Sequence, residues 1–127
     1  MKIALTGSTG FLGKELLRVL NDKKFDVECY NLRSAEKINL FLNDVSKIKY
    51  NVIINSAASI NPITKSDFYI NKYLPKNILS SIKDLNLTKL IHISSINVKN
   101  PMLNDPYTLS KRFAESSIKK NNVIIIR

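Results

Sequence analysis

Apolar residues along the chain alternate between short continuous runs and helically spaced positions. The segments Lys2–Leu5 and Val52–Ile54 are continuous runs, as expected for parallel strands that are buried on both faces of a sheet. Between them, Leu12, Leu16 and Leu20 recur at the spacing of one face of a helix. Strands that alternate with helices are typical of βαβ units, so the sequence predicts an α/β fold with a doubly wound parallel sheet in three αβα layers.

The same pattern divides the chain into about six strands separated by helices. The predicted strands are Lys2–Leu5, Val27–Leu32, Ile38–Leu40, Val52–Ile54, Leu90–Ile93 and Val123–Ile126. Asp44–Lys49 is long enough for a short helix. An isoleucine or leucine at every fourth position from Ile70 to Ile82 predicts a longer helix, which Pro75 either kinks or opens anew. Repeats and linkers are absent, so we expect a single domain over residues 1–127.

The last predicted helix begins at Asn104-Asp105-Pro106, where a capping side chain is followed by a proline suited to the first helical turn. Leu109, Phe113 and Ile118 are the apolar residues that we expect on its buried face. The helix then leads into the predicted strand Val123–Ile126, which completes the last βαβ unit.

The amino-acid composition argues against several classes of protein. Hydrophobic residues make up 44% of the 127 residues and charged residues 24%, which is ordinary for a folded domain and argues against disorder. No apolar run approaches the roughly 20 residues of a membrane span. The start of the chain turns glycine-rich after a few residues, which is unlike a secretory signal peptide.

Cysteine and histidine occur once each, at Cys29 and His92. One thiol cannot form an internal disulfide and fits a reducing compartment, so the cytoplasm is the expected location. Both residues lie within predicted strands, which favours a buried thiol and a packed imidazole over a catalytic group. So few nitrogen and sulfur ligands also argue against a metal site.

The chain is basic, with 20 lysines and arginines against 10 acidic residues and a formal net charge of +10. Such a balance is compatible with nucleic acid, an acidic membrane surface or anionic small molecules as partners. The basic residues are dispersed, however, and the aromatic residues form no stacking platform between them. We therefore expect neither a nucleic-acid nor a membrane partner, and a functional basic patch is the less favoured alternative.

The three glycines of the chain all fall in the segment Thr6–Gly13, between the first predicted strand and the first predicted helix. In this context a glycine fingerprint binds a dinucleotide in Rossmann-like folds. Gly7 would permit the tight turn, Gly10 the approach of a pyrophosphate, and Gly13 close packing of the helix on the strand. Free N–H groups and the dipole at the helix start favour the phosphates. The candidate cofactor-binding residues of this loop are Gly7, Ser8, Thr9, Gly10, Phe11, Leu12 and Gly13.

The residues after the second predicted strand bear on the choice of cofactor. An acidic residue about 20 positions beyond the glycines would favour NAD by binding the ribose 2′-hydroxyl. Asn31 occupies that region instead and Arg33 follows, a combination that favours the 2′-phosphate of NADP. An ordinary exposed role for Arg33 is an equally open alternative, so NADP is the preferred cofactor and NAD is possible.

Tyr107 and Lys111 lie four residues apart at the start of the last predicted helix. That spacing places a phenol and an ammonium on the same helix face. A nearby cation lowers the pKa of a tyrosine, as a general acid/base near neutrality requires. In isolation, a boundary tyrosine beside a surface lysine explains the pattern as well. After a glycine fingerprint, and with Ser94-Ser95 ending a predicted strand, the pair indicates a catalytic function.

In order and context these motifs resemble the extended short-chain dehydrogenases/reductases, the NAD-dependent epimerase/dehydratase family. The resemblance is carried by Thr6–Gly13, Asn55-Ser56-Ala57-Ala58, Asn71, His92-Ile93-Ser94-Ser95 and Tyr107–Lys111. It covers the whole chain, and the dehydrorhamnose reductase and fucose synthase branches look nearest. Two features depart from the family: only 11 residues separate Ser95 from Tyr107, and Lys99-Asn100 replaces the usual Tyr-Gly.

The resemblance implies an NAD(P)-dependent oxidoreductase or epimerase that transfers a hydride on a nucleotide-sugar substrate. By the same resemblance, Tyr107 would be the general acid/base, Lys111 would bind the nicotinamide ribose, and Ser95 would bond the substrate oxygen. The segment that would line the cofactor contributes Ser56, Ala57 and Ala58. Asn71 is as readily a polar residue that faces solvent or bonds buried backbone.

Compared with the family, the chain is expected to lack the C-terminal part that supplies most of the sugar-nucleotide pocket. A second interpretation is therefore a catalytically incomplete NADP-binding module or regulator. In this family the helices that correspond to Asn71–Leu85 and Tyr107–Lys120 commonly pair between subunits, so a homodimer is possible.

Overall fold

The computed structural model describes residues 1–127, which form five strands and five α-helices. The strands are β1 Lys2–Thr6, β2 Asp26–Tyr30, β3 Val52–Asn55, β4 Lys89–Ile93 and β5 Val123–Ile126. The helices are α1 Phe11–Asp22, α2 Ala35–Lys47, α3 Lys65–Phe68, α4 Leu74–Ser81 and α5 Pro106–Ser117. A π-helical turn, Tyr69–Tyr73, joins α3 to α4, and a 3₁₀ turn, Ile96–Lys99, follows β4. None of the helices combines the length and the apolar character that a membrane span requires.

The strands are ordered β2-β1-β3-β4-β5, and every neighbouring pair is parallel. The chain runs from β1 outward to one edge of the sheet and from β3 outward to the other. The carboxyl ends of β1 and β3 therefore form a topological switch point, where open α/β sheets bind ligands. The predicted doubly wound α/β fold is confirmed, although the sheet has five strands rather than six.

Helices cover both faces of the sheet because alternate strand residues point to opposite sides. On one face, Ala4 and Ile53 belong to a large core that includes buried residues of α2 and α4. On the other face, Ile3, Leu5 and Ile54 pack against the apolar stripe of α1. The two strands at the free edges of the sheet are β2 and β5. Along β5 the side chains of Ile124 and Ile126 are exposed.

The predicted strand Ile38–Leu40 is wrong, because this segment lies inside α2. Ser34 caps the helix by accepting a hydrogen bond from Lys37 N at 3.3 Å. Three residues at helical spacing are buried on its inner face: Ile38, Phe41 and Val45. Leu40 points outward and is exposed. The short helix predicted for Asp44–Lys49 overlaps only the end of α2.

The absence of a strand between β2 and β3 leaves β2 at the edge of the sheet. The thiol of Cys29 is consequently exposed, so the predicted burial of this residue is wrong. His92, in contrast, is fully buried in β4, as predicted for a packed imidazole. Pro75 lies in the first turn of α4, directly after the π-helical turn, and therefore opens the second part of the helical region.

The predicted buried face of α5 is also largely wrong. Ile118, just after the helix, is fully buried, but Leu109 and Phe113 are 47% and 40% exposed. The inner face instead carries polar and charged side chains together with one alanine. These buried residues are Thr108, Ser110, Lys111, Ala114 and Glu115. The helix begins as predicted, with Asp105 accepting a hydrogen bond from Thr108 N at 2.9 Å.

Candidate functional site

The glycine loop closes over the carboxyl end of β1 with no room for side chains at two positions. Gly7 has a φ of +72°, which favours glycine, and a Cβ there would lie 2.7 Å from Ala57 N. A Cβ at Gly13 would lie only 2.0 Å from the carbonyl oxygen of Gly7. The third glycine therefore packs α1 directly on the glycine loop rather than on the strand.

The N-terminus of α1 is open toward the same loop. Its N-cap is Gly10, which offers no side-chain acceptor, and no acidic residue lies in the first turn. The first N–H groups of the helix are therefore left for a ligand, and the helix dipole favours an anion at this position. A glycine cradle beside uncapped N–H groups fits the pyrophosphate of a dinucleotide.

A cavity of about 390 Å³ lies at the switch point between β1 and β3. Of the predicted cofactor-binding residues, those that line it are Gly7, Thr9, Gly10, Asn31, Arg33, Ser56, Ala57 and Ala58. The predicted cofactor-binding residues that do not line it are Ser8, Phe11, Leu12 and Gly13 of the loop, together with Tyr107 and Lys111. Phe11 in particular is 96% exposed at the start of α1. The cavity thus unites the glycine loop, the end of β2 and the segment after β3.

Several lining residues were not among the sequence predictions. They are Tyr30, Leu32, Ser59, Ser66, Asp67 and Ile70. Asp67 had a recognisable signal, because Thr64 and Asp67 form a capping box at the start of α3. Hydrogen bonds from the backbone N–H groups of Thr64 and Ile63 hold the pKa of Asp67 below its ordinary value. Its carboxylate therefore adds a fixed negative charge to the cavity wall.

Asn71 clamps the segment after β3. Its Oδ1 accepts a hydrogen bond from Ser59 N at 2.8 Å, and its Nδ2 donates to Ser59 O at 2.7 Å. The side chain is fully buried within the π-helical turn, so Asn71 bonds buried backbone rather than facing solvent. Because Ser59 lines the cavity, this two-point clamp fixes part of the cavity wall.

Tyr30 is held at the end of β2 by a cluster of hydroxyl and carboxylate groups. Its hydroxyl lies 2.5 Å from that of Tyr50 and 3.1 Å from Asp44 Oδ2, while Tyr50 also donates to Glu28 Oε2. Burial raises the pKa of Tyr30 to about 12, so the phenol is neutral under ordinary conditions. The cluster fixes the aromatic ring that lines the cavity beside Asn31.

A row of polar side chains joins the carboxyl ends of three strands. Thr6 Oγ1 donates to Asn55 Oδ1 at 2.7 Å, and Asn55 Nδ2 lies 3.2 Å from His92 Nδ1. The amide of Asn55 therefore makes Nδ1 the acceptor and leaves the proton of the neutral ring on Nε2. Burial and the charge of Lys111 lower the pKa of His92 to about 3. His92 is thus a neutral, structural member of this row.

Tyr107 lies at the start of α5 and is half-buried. Burial, followed by the negative charge of Asp105, raises its pKa above the ordinary value of 10.0, and the neighbouring Ser95 hydroxyl acts in the opposite direction. The prediction that Lys111 lowers this pKa is therefore wrong. Ser95 Oγ itself accepts a hydrogen bond from Asn97 N at 3.3 Å and caps the 3₁₀ turn.

Lys111 is buried one turn after Tyr107. Only 1% of the residue is exposed, and Nζ donates to Ile93 O at 3.0 Å. The same nitrogen lies 5.9 Å from the centre of the Tyr107 ring. Burial lowers the pKa of Lys111 to about 8, and the negative charge of Glu115 acts against that fall. Neither Tyr107, Lys111 nor Ser95 lines the cavity at the switch point.

Comparison with known proteins identifies one curated relative. It is the GDP-6-deoxy-D-talose 4-dehydrogenase of Aggregatibacter actinomycetemcomitans, which is 36% identical over 101 residues. The matched region is 71% of this chain and 33% of that enzyme. No family model matches the sequence.

Solved structures extend the likeness to the whole fold. A short-chain dehydrogenase/reductase superfamily protein from Agrobacterium tumefaciens with bound NAD has a TM-score of 0.79 and 16% identity, over 100% of this chain and 48% of that one. The dTDP-4-dehydrorhamnose reductase from Yersinia enterocolitica has a TM-score of 0.82 and 23% identity, over 99% of this chain and 51% of that one. At these identities the likeness establishes the fold, and the chain spans about half the length of such proteins.

The structural neighbours are short-chain dehydrogenase/reductase and NAD-dependent epimerase/dehydratase proteins, which confirms the resemblance predicted from the sequence. Several of them are enzymes of nucleotide-sugars, including a dehydratase, reductases and an epimerase. Neighbours have been crystallised with NAD and, in one dehydrorhamnose reductase, with NADP. A nicotinamide dinucleotide is therefore the cofactor class of these neighbours.

Proposed function

Starting from a chain whose structural neighbours are short-chain dehydrogenase/reductase proteins, we propose that residues 1–127 are the NAD(P)-binding domain of a nucleotide-sugar oxidoreductase or epimerase. The observation that carries the proposal is the cavity at the switch point of the sheet. Gly7 and Gly10 form one wall of it, and Ser56–Ala58 form another. Backbone N–H groups and small side chains leave room for the phosphates and ribose of a dinucleotide there.

Bound nicotinamide would supply or accept the hydride, and the chain's own residues would orient the reactants and move the proton. Tyr107 would give a proton to, or take one from, the substrate oxygen at the carbon that exchanges the hydride. Lys111 would donate a hydrogen bond to the nicotinamide ribose, and Ser95 would hold the substrate oxygen. The raised pKa of Tyr107 favours the protonated phenol, which is the form that a carbonyl reduction requires.

NADP is the proposed cofactor, because Arg33 lines the cavity and residues 31–34, which follow β2, include no carboxylate. Asn31 Oδ1 accepts a hydrogen bond from Arg33 N at 3.2 Å, which fixes the turn that presents the guanidinium. A guanidinium binds a phosphate through paired hydrogen bonds, whereas NAD has only a hydroxyl at that position. Asp67 also lines the cavity, and its negative charge would oppose the phosphate, so the affinity for NADP depends on the balance between the guanidinium and this carboxylate.

Thermal unfolding with and without cofactor tests the proposal. At matched ionic strength, we expect a rise in Tm with NADPH and a smaller rise with NADH, because a ligand that binds only the folded state stabilises it. The matched variant Arg33→Gln should lose most of the additional rise with NADPH and keep the rise with NADH. If neither cofactor raises Tm at millimolar concentration, dinucleotide binding is contradicted. If NADPH raises Tm equally in the wild type and in Arg33→Gln, the NADP preference is contradicted.

A catalytically incomplete NADP-binding module is the second candidate function. It is favoured by one observation, that Tyr107, Lys111 and Ser95 lie outside the walls of the cofactor cavity. The variant Tyr107→Phe separates the two candidates in a turnover assay with nucleotide-4-keto-sugars. For an enzyme, we expect a loss of turnover of at least about a hundredfold with cofactor affinity retained, because only proton transfer is removed. Binding without turnover in the wild-type chain would favour the module.

A homodimer is proposed through the exposed side of the π-helical turn and α5. Tyr73 and Phe113 pack edge to face with ring centroids 5.6 Å apart, although both are at least 40% exposed. Lys72 places its ammonium 4.4 Å from the Phe113 ring centroid. Leu109 extends the same surface by a further exposed apolar side chain. Sedimentation velocity over a concentration series tests whether this surface is covered in solution.

A further inference from the structure

Glu115 is a buried carboxylate to which the proposed mechanism gives no function. It lies on the inner face of α5, and the residue is 4% exposed. Arg127, directly after β5, binds it through both nitrogens of one guanidinium edge. The distances are 3.0 Å from Nε to Oε1, 3.2 Å from Nε to Oε2 and 2.6 Å from Nη2 to Oε2. The pair therefore connects α5 to the carboxyl end of β5.

Lys111 makes a second connection one turn earlier on the same helix face. Its ammonium donates to the carbonyl oxygen of Ile93, at the carboxyl end of β4. Residues four positions apart on a helix are neighbours, so Glu115 is adjacent to Lys111 as well as to Arg127. Successive turns of α5 are thus attached to the ends of two neighbouring strands, and Tyr107 lies one turn before the first attachment.

In addition to connecting α5 to the end of β5, Glu115 places a negative charge near the buried ammonium of Lys111. Burial alone would raise the pKa of Glu115, but the hydrogen bonds that it accepts from Arg127 and the positive charges of Arg127 and Lys119 bring that pKa below the ordinary value. Glu115 is therefore an anion beside a buried ammonium. In the elements that pack against α5, His92 of β4 is neutral, and Lys72 of the π-helical turn is directed at the Phe113 ring. Arg127, directly after β5, is paired with Glu115 itself.

We propose that Glu115, held by Arg127, is a positioning residue for Lys111, because it fixes α5 against the end of β5 and supplies the negative charge that keeps the buried ammonium protonated. The inference rests on the proposed function in so far as Lys111 acts on the cofactor. The electrostatic connection between the two side chains can be measured without any cofactor.

The first experiment is an NMR titration of the Lys111 side chain in the wild-type chain and two variants. In Glu115→Gln the size of the side chain is kept and the charge is lost, so we expect the pKa of Lys111 to fall below its wild-type value of about 8. In Arg127→Gln a positive charge is lost and Glu115 remains, so the pKa should stay level or rise. A pKa that is unchanged in Glu115→Gln, or that falls equally in both variants, would overturn the proposal.

The second experiment measures the affinity for NADPH across pH. We expect the affinity of Glu115→Gln to be lower than that of the wild type by about threefold to tenfold at pH 8, and within about twofold at pH 6.5, where Lys111 is protonated in both. Glu115→Asp, which restores the charge, should recover most of the loss. A loss that is equal at both pH values indicates a merely structural function and overturns the proposal.

The two experiments separate this inference from the proposed function. If the pKa of Lys111 responds as expected but no form of the chain binds NADPH, the electrostatic inference stands and the cofactor proposal fails. If Glu115→Gln does not fold, the double variant Glu115→Met with Arg127→Met replaces the ion pair by apolar groups, an exchange that is often tolerated. We then expect the pKa of Lys111 to fall by less than in Glu115→Gln, because the positive charge of Arg127 is removed together with the carboxylate. A pKa of Lys111 that does not fall contradicts the inference.

Discussion

The glycine loop lines the cavity at the switch point, the face of α5 lies outside it, and the two regions are built by opposite means. At the glycine loop the structure depends on missing side chains, since a Cβ at Gly13 would lie 2.0 Å from a carbonyl oxygen. Under α5 it depends on buried charged side chains, among them Lys111 and Glu115. The first region offers backbone N–H groups to a ligand, and the second holds the side chains to which the proposed function assigns the proton transfer.

The comparison teaches that the two regions should respond differently to substitution and to pH. Backbone geometry has no titrating group, so the glycine loop is sensitive to volume and insensitive to pH. Buried ionisable groups link stability to proton binding, so α5 should be sensitive to pH. Each of the following variants tests one side of this difference.

The largest effect is expected for Gly13→Ala. The added methyl group would collide with the Gly7 carbonyl and move α1 away from the loop. We expect the free energy of unfolding in urea to fall by more than about 4 kcal/mol at every pH between 6 and 9, if folding persists. Gly10→Ala is the control, because its Cβ would come no closer than 3.3 Å to the Gly7 carbonyl oxygen. Comparable losses in the two variants would contradict the close-packing explanation.

An intermediate effect, confined to alkaline pH, is expected for Lys111→Met. The pKa of Lys111 is about 8 in the folded chain against an ordinary value of 10.5. Between these values the unfolded chain binds a proton that the folded chain lacks, so this lysine makes the free energy of unfolding rise with pH. The wild-type value should therefore gain about 3 kcal/mol relative to the variant between pH 7.5 and 10.5. Parallel pH profiles for the two proteins would show that the ammonium is not desolvated.

The smallest effect is expected for Leu109→Ala on the outer side of α5. Leu109 is 47% exposed, so its truncation should change the free energy of unfolding by less than about 0.5 kcal/mol. Ile118→Ala, at a fully buried position, is the matched comparison and should cost about 2–5 kcal/mol. Equal losses of unfolding free energy in the two variants would show that Leu109 is buried, as the sequence pattern predicts. Chemical denaturation at low protein concentration avoids a contribution from dimer dissociation.

The sequence was sufficient for the glycine loop and the parallel strands, because each is encoded by a local signal. Continuous apolar runs such as Val52–Ile54 predict a buried strand wherever they lie, and three clustered glycines predict one kind of turn. The prediction of a strand at Ile38–Leu40 was wrong because three residues are too few to distinguish a strand from a helix. With Phe41 and Val45 included, the buried positions follow the helical repeat, and Ser34 is a recognisable N-cap.

The face of α5 could not be predicted from periodicity, because its buried positions are polar. Leu109 and Phe113 have the spacing of a core face, yet Lys111 and Glu115 take the inner positions. Their burial is tolerable because of long-range partners: the Ile93 carbonyl lies at the end of β4, and Arg127 directly follows β5. The direction of the pKa shift of Tyr107 is likewise set by burial, which no spacing between tyrosine and lysine reveals.

The two free edges of the sheet differ in how readily they would pair with a strand of another molecule. The β2 edge carries the charged side chains Asp26 and Glu28, which discourage the addition of another strand. The β5 edge consists of the uncharged segment Val123–Ile126, with Ile124 and Ile126 exposed by 45% and 48%. A concentrated preparation of this chain should therefore begin to aggregate at β5, and a charged residue in place of Ile124 is the first change to make for solubility.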